Sequence, residues 1–180
     1  ELDVEFTPVD LRPYATTGYT GGSGIGWTNQ GADNELTGFD LTGRQVFNNV
    51  EFDIIDQAEN NNKSVIGLRS KKASESPLFT ESVTIPIGQK ADGAYMIHNM
   101  SWEDKTVARY TWVYEDGTTE AVDIVNGRHI FNWWLEEQND VCPIIWRGSN
   151  AEASGMGIST IKLNMFAFKN PQPQKVIKEM

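Results

Sequence analysis

The chain contains few of the residues that carry catalysis or cross-links, with one cysteine and two histidines among its 180 residues. Cys142 cannot form a disulfide within the chain and lies in an apolar run, so we expect a buried, inert thiol. A nucleophilic serine or cysteine needs a positioned base, and only His98 and His129 offer an imidazole. The sequence also lacks a Gly-x-Ser-x-Gly elbow, a His-Glu-x-x-His motif and a phosphate-binding loop before a helix. These absences disfavour the common hydrolase, zinc-peptidase and nucleotide-binding classes.

Basic residues are scarce as well, since 15 Lys and Arg stand against 25 Asp and Glu, for a net charge of -10. A negative surface repels phosphate backbones and anionic lipid headgroups. No apolar run approaches the roughly 20 residues that a membrane-spanning helix needs, and residues 1–6 lack the pattern of a signal peptide. We therefore expect a soluble protein whose partners include neither nucleic acid nor membrane.

Short β patterns are abundant, because runs of aromatic and β-branched residues alternate with Gly, Asn and Asp clusters. The strongest hairpin signal joins residues 107–114 to 119–125 through Asp116-Gly117, since Gly accepts positive φ. Residues 82–87 alternate apolar and polar, and Pro86 indicates an edge strand or a strand end. Further strands are predicted at 46–55, 64–69, 93–102, 141–147 and 159–168.

Helical patterns are nearly absent, with one turn predicted near residues 129–137 and no alternation of strands and helices. Eight or nine short strands fit a single all-β domain over residues 1–180, an antiparallel β-sandwich of the jelly-roll kind. Residues 171–180 look like the start of another strand. This pattern predicts an excised or C-terminally incomplete module of a larger protein.

Seven short stretches, in order along the chain, are PVDL at 8–11, GWTNQG at 26–31, TGRQ at 42–45, FDIID at 52–56, KS at 63–64, IPIG at 85–88 and YEDGT at 114–118. Together they resemble galactose-binding-domain-like jelly rolls appended to bacterial glycoside hydrolases. The resemblance implies a non-catalytic carbohydrate-binding or architectural module of a secreted, periplasmic or cell-surface protein. Its implied partners are a polysaccharide or oligosaccharide and a catalytic domain in the same polypeptide, and the module is expected to be monomeric.

The six tryptophans carry the most information about a ligand, because sugars place C–H patches on aromatic faces and hydroxyls on polar side chains. In an up-and-down tracing, two predicted strands end on the same side of the sheet. This places Trp102, Arg128, His129 and Trp133, with the adjacent Trp134, on one candidate ligand-binding rim. The alternative is that at least one of Trp133 and Trp134 caps the core.

Other aromatic residues are expected to be structural. Trp112 and Trp146 lie inside strand patterns and are assigned to the core, while Trp27 is assigned to packing within its loop. His98 lies within a predicted strand, where a hydrogen-bonded structural role is the simpler interpretation.

Two further kinds of site stay open. The oxygen-rich loops at 33–35 and 56–62 are candidates for a structural calcium, although Asx-turns explain them equally well. No cofactor is required by the sequence. A glycosidase needs two carboxylates, and surface or turn acids are the simpler interpretation of the candidate pairs. These pairs are Asp53 with Asp56, Glu103 with Asp104, and Glu136 with Glu137.

The functional hypotheses are therefore ordered. A non-catalytic carbohydrate-binding module comes first, a structural spacer domain that binds no glycan second, and a small glycosidase third.

Overall fold

The computed structural model describes residues 4–21, 26–69, 79–101 and 105–180. These residues form antiparallel β-structure with very little helix, which confirms the all-β prediction. The strands are β1 Gly43–Phe47, β2 Val50–Ile54, β3 Pro86–Gln89, β4 Gly93–His98, β5 Thr106–Tyr114, β6 Thr119–Val125, β7 Ile144–Gly148, β8 Ile161–Lys169 and β9 Ile177–Glu179, and the helix α1 is Ala151–Gly155.

The strands form three sheets: the hairpin β1-β2, a four-stranded sheet in the order β3-β9-β5-β6, and a three-stranded sheet in the order β4-β8-β7. All of the pairings within these sheets are antiparallel. The predicted hairpin at Asp116-Gly117 is confirmed, with Gly117 at a φ of 83° between β5 and β6. The strand predicted at 82–87 is displaced, since β3 overlaps it only at residues 86 and 87. β3 is an edge strand, as one interpretation of Pro86 predicts, but Pro86 begins the strand rather than ending it.

The two larger sheets face each other across the main core. Trp112 and Tyr114 of β5 and Ile124 of β6 pack in one cluster with Phe166 and Phe168 of β8. The rings of Trp112 and Phe168 lie 5.1 Å apart, centroid to centroid. This face-to-face packing of two antiparallel sheets is that of a β-sandwich.

Strand β8 is covered on both faces, since its first six residues are all buried. Successive side chains of β8 point to opposite sides of the sheet, so Ile161 and Leu163 pack in a second cluster away from Phe166. Leu36, from the N-terminal segment, is fully buried in this second cluster. N-terminal loops therefore cover the outer face of the three-stranded sheet and supply a third layer.

Two strand predictions are wrong. Residues 46–55 form the hairpin β1-β2 rather than one strand, because Asn48 and Asn49 adopt φ of 50° and 64° and reverse the chain. Residues 64–69 make only isolated bridges, in which Val65 pairs with Thr17 and Leu68 with Thr80.

The predicted helical turn at 129–137 is also wrong. Within this segment the backbone amide of Trp134 donates to the Oδ1 of Asn132 at 3.0 Å. This bond is typical of a turn, and the segment contains no helix. The helix lies instead at α1, where the side chain of Asn150 accepts from the amide of Ala153 and caps its N-terminus.

The C-terminal strand β9 is a central strand, between β3 and β5. Ile177 is fully buried there, and the backbone of Met180 exchanges two hydrogen bonds with that of Ile85. The strand signal at the C-terminus is therefore confirmed, and β9 joins β3 to β5 within the four-stranded sheet.

Candidate functional site

The structure describes four of the five residues of the predicted ligand-binding rim. Trp102 lies outside the described residues. Trp133 is 2% exposed and Trp134 8% exposed, and both belong to the second core cluster. The ring of Trp133 packs 5.8 Å from that of Trp27, so Trp27 has the packing role expected of it. Both tryptophans are thus buried, as the capping interpretation predicts, and both line a cavity of about 20 Å³ beside Asn132. Ligand binding at this rim stays a prediction.

Arg128 and His129 lie in the turn after β6. Arg128 is exposed, whereas the ring of His129 packs on Phe166 of the main core with centroids 5.1 Å apart. The tryptophans pack in the second cluster, on the other side of the three-stranded sheet. Of the described members of the predicted rim, Trp133 and Trp134 therefore lie in the second cluster, whereas His129 packs against the main core and Arg128 is exposed.

His98 has the structural role predicted for it. Its Nε2 lies 2.7 Å from the carbonyl oxygen of His129, which can only accept, so this nitrogen carries the proton. Its Nδ1 then accepts from the hydroxyl of Tyr110 at 2.6 Å. Burial lowers the pKa of His98 to about 4, which keeps the imidazole neutral at pH 7.

Two of the candidate carboxylates are held in ion pairs with arginine. Asp53 is paired with Arg12 at 3.2 Å, and Glu136 with Arg147 at 2.6 Å. The hydrogen bond from Arg147 lowers the pKa of Glu136, whereas a glycosidase acid needs a raised pKa. Glu103 and Asp104 lie outside the described residues.

The two candidate calcium loops make protein hydrogen bonds. Glu35 is buried and accepts from the amide of Gly21 at 2.7 Å, and Asp56 accepts from the amide of Ala58 at 2.9 Å. Within the residues that the structure describes, no three or more His, Cys, Asp or Glu side chains are grouped to hold a metal ion. A structural calcium stays a prediction.

A cleft that the sequence did not predict opens between three loops of the N-terminal half. Its volume is about 170 Å³. We call it the loop cleft, and the residues that line it are Tyr19, Thr20, Phe39, Leu41, Thr42, Asp56 and Gln57.

One wall of the loop cleft is aromatic. The rings of Tyr19 and Phe39 lie 4.6 Å apart, and Phe39 in turn meets Trp146 edge to face at 5.2 Å. Both Tyr19 and Phe39 are half-buried, and they pack against the second core cluster. Burial raises the pKa of Tyr19 to about 12, so its hydroxyl stays protonated. The cleft therefore has an apolar wall anchored in the core.

The polar part of the lining is fixed by hydrogen bonds from Gln57 to the loop that carries Tyr19. The Oε1 of Gln57 accepts from the amide of Tyr19 at 2.8 Å, and its Nε2 donates to the Oγ1 of Thr20 at 3.0 Å. A Cβ at Gly18 would lie 2.6 Å from the carbonyl oxygen of Asn62, so this close approach of the loops requires glycine. Gln57 thus joins two loops that are far apart in sequence.

Asp56 is the charged residue of the lining. One carboxylate oxygen accepts from the amide of Ala58 and caps a short 3₁₀ helix at Gln57–Glu59. The second oxygen has no hydrogen-bond partner in the part of the chain that the structure describes. A ligand hydroxyl can donate to it. The sequence predicts Asp56 as a candidate acid and as part of a calcium loop, but no local pattern predicts that Tyr19 and Phe39 line the same cleft.

Comparisons of the chain with protein-family models, with curated proteins and with solved structures give no match. The resemblance to galactose-binding-like modules therefore depends on the seven sequence stretches. Over the described ranges, the structure contains no helix with the length and apolarity to cross a bilayer.

Proposed function

We propose that the chain is a non-catalytic carbohydrate-binding module that holds a sugar in the loop cleft. The observation that carries this proposal is the pairing of a half-buried aromatic wall, Tyr19 and Phe39, with the unpartnered carboxylate oxygen of Asp56. The hydroxyls of Thr20 and Thr42 lie in the same lining. A sugar ring needs this combination, an aromatic face for its C–H groups and acceptors for its hydroxyls.

The loop cleft is also organised before a ligand arrives. Gln57 holds Tyr19 and Thr20 with both ends of its amide, and Trp146 supports Phe39 from the core side. Little conformational entropy remains to be lost on binding, which favours affinity from a small contact area.

The wider setting belongs to the same proposal. The β-sandwich and the seven stretches support a module of the galactose-binding-like jelly-roll type, outside the cell or at its surface, joined to a catalytic domain in one polypeptide. We propose that the module binds glycan as a monomer and needs no cofactor.

Affinity gel electrophoresis against plant, algal and host polysaccharides tests the proposal. Phe39→Leu keeps an apolar side chain but removes the flat ring, so we expect about fivefold weaker retention. The matched control is Phe47→Leu, at a half-buried phenylalanine in the hairpin β1-β2 whose ring packs on Phe52. This control should bind as the wild type does.

Other results would assign other functions. A folded chain that no polysaccharide retards contradicts the proposal and favours the spacer domain. Release of reducing sugar from the same polysaccharides, abolished by one carboxylate substitution, favours the glycosidase.

A further inference from the structure

We infer that the loop cleft takes one uncharged pyranose residue and discriminates against the acidic sugar of the same stereochemistry. This inference rests on the proposed function, because it specifies the ligand of the same cleft. It follows from the size of the cleft and from the charges that line and surround it.

The size of the loop cleft matches one six-membered ring. Its volume is about 170 Å³. An engineered cavity of about 150 Å³ accepts one benzene ring, and sites for larger ligands begin at about 300 Å³. One sugar residue therefore fills the cleft, and neighbouring residues of a longer glycan lie outside it.

The charge of the lining excludes an anion. Asp56 is the one charged side chain among the seven described residues that line the cleft, and none of these seven is a cation. The guanidinium of Arg12 is paired with Asp10 and Asp53, so its charge is balanced by acids of its own chain. The chain as a whole carries a charge of -10. A carboxylate or sulfate on the sugar would therefore meet a like charge without a counter-ion.

The same carboxylate favours a neutral sugar. Because Ala58 fixes one oxygen of Asp56, the other oxygen is held in place to accept a sugar hydroxyl. A charged acceptor makes a stronger hydrogen bond to a hydroxyl than a neutral acceptor does. Asp56 thus attracts hydroxyls and repels acids through one group.

The test uses an array of oligosaccharides whose terminal residues form matched pairs: glucose with glucuronic acid, galactose with galacturonic acid, and mannose with mannuronic acid. We expect the neutral member of a bound pair to bind at least about tenfold more tightly at low salt. The ratio of the two affinities should shrink in 0.5 M salt. The Debye length is then about 4 Å, so the salt screens the repulsion between Asp56 and the acidic sugar.

The Asp56→Asn variant isolates the role of the charge. Asn keeps an oxygen that can accept from Ala58, so the fold is preserved while the negative charge is lost. We expect the discrimination between the members of a pair to fall about tenfold. The control Asp92→Asn, at an exposed aspartate outside the cleft, should leave the discrimination unchanged.

The outcomes separate the two proposals. Binding of no probe in any pair contradicts the proposed function and this inference with it. Binding of an acidic probe as tightly as its neutral partner overturns the inference alone. Affinity that rises more than about tenfold from a methyl glycoside to the tetrasaccharide overturns the single-residue fit, whereas a rise under about threefold supports it.

Discussion

The ring of Phe39 meets the ring of Trp146 edge to face, with their centroids 5.2 Å apart. Trp146 lies in β7 and packs on the second core cluster, whereas Phe39 lines the loop cleft. This contact joins the wall of the cleft to the sandwich. Substitutions behind the wall should therefore change the cleft without touching a ligand.

Gly148→Ala tests this connection. A Cβ at Gly148 would lie 2.1 Å from the indole of Trp146, so the indole must move. We expect a loss of about 1–3 kcal/mol in the free energy of unfolding and weaker glycan binding. Urea denaturation and affinity electrophoresis measure the two effects. Gly155→Ala is the control, since nothing lies within 4 Å of the added Cβ. An unchanged free energy of unfolding in Gly148→Ala would contradict the packing account.

Gln57 is expected to position the cleft. Gln57→Ala removes the hydrogen bonds to Tyr19 and Thr20, so we expect a loss of about 1–3 kcal/mol in stability and a larger relative loss of binding. Gln174→Ala is the control, at an exposed glutamine whose side-chain amide donates to Gln172. Denaturant titration measures the stability of both variants, and affinity electrophoresis measures their glycan binding. A Gln57→Ala protein with full binding would contradict the positioning role.

The hairpin β5-β6 could be predicted from the sequence because its signals are local. Asp116-Gly117 lies between two alternating runs, and the bounds predicted for β6 match those of the structure. The turn at Asn48 and Asn49 has the same kind of signal, but the apolar residues on both sides of it also fit one strand at 46–55. Local chemistry thus predicts turns well when the flanking periodicity is clear.

The loop cleft could not be predicted because its parts meet only in the fold. Gln57 bonds Tyr19 across 38 residues of sequence, and neither residue lies in a periodic pattern. The burial of Trp133 likewise depends on the N-terminal layer that supplies Leu36 and Trp27. A sequence shows that these residues are aromatic but not what covers them.

His98 makes stability depend on pH. The folded pKa is about 4, below the usual value of 6.5, so between these values the unfolded chain binds a proton that the folded chain excludes. Stability from this group is complete above pH 6.5 and falls as the pH falls towards 4, by about 3 kcal/mol in all. Urea denaturation from pH 7.5 to 4 measures the loss.

His98→Gln separates this effect from the titration of the carboxylates. The variant should be less stable at pH 7, because His98 joins Tyr110 to the backbone of His129. Its stability should also fall less between pH 6.5 and 4 than that of the wild type. Equal losses in both proteins would show that His98 does not carry the pH dependence.

Lys162 is a lysine whose side chain is buried. Its side chain is 1% exposed, its Nζ donates to the carbonyl oxygen of Thr160, and Glu136 lies 3.8 Å away. Burial lowers its pKa, and Glu136 keeps Arg147 as a partner. Lys162→Met should therefore change the free energy of unfolding by less than about 1 kcal/mol, while Lys162→Ala loses about 2–4 kcal/mol through a cavity. Chemical denaturation of both variants checks this, and a large loss in the Met variant would show that the charge stabilises the fold.

The most direct test of glycan binding at the loop cleft is a titration of the ¹⁵N-labelled chain, observed by NMR, with the neutral oligosaccharide that the array selects. We predict saturable shifts of the amide signals of Tyr19, Thr20, Thr42 and Gln57, with a midpoint about fivefold higher in Phe39→Leu and unchanged in Phe47→Leu. Shifts confined to the turn at Arg128 and His129, or no shifts at any concentration, would contradict the assignment of the site to the loop cleft.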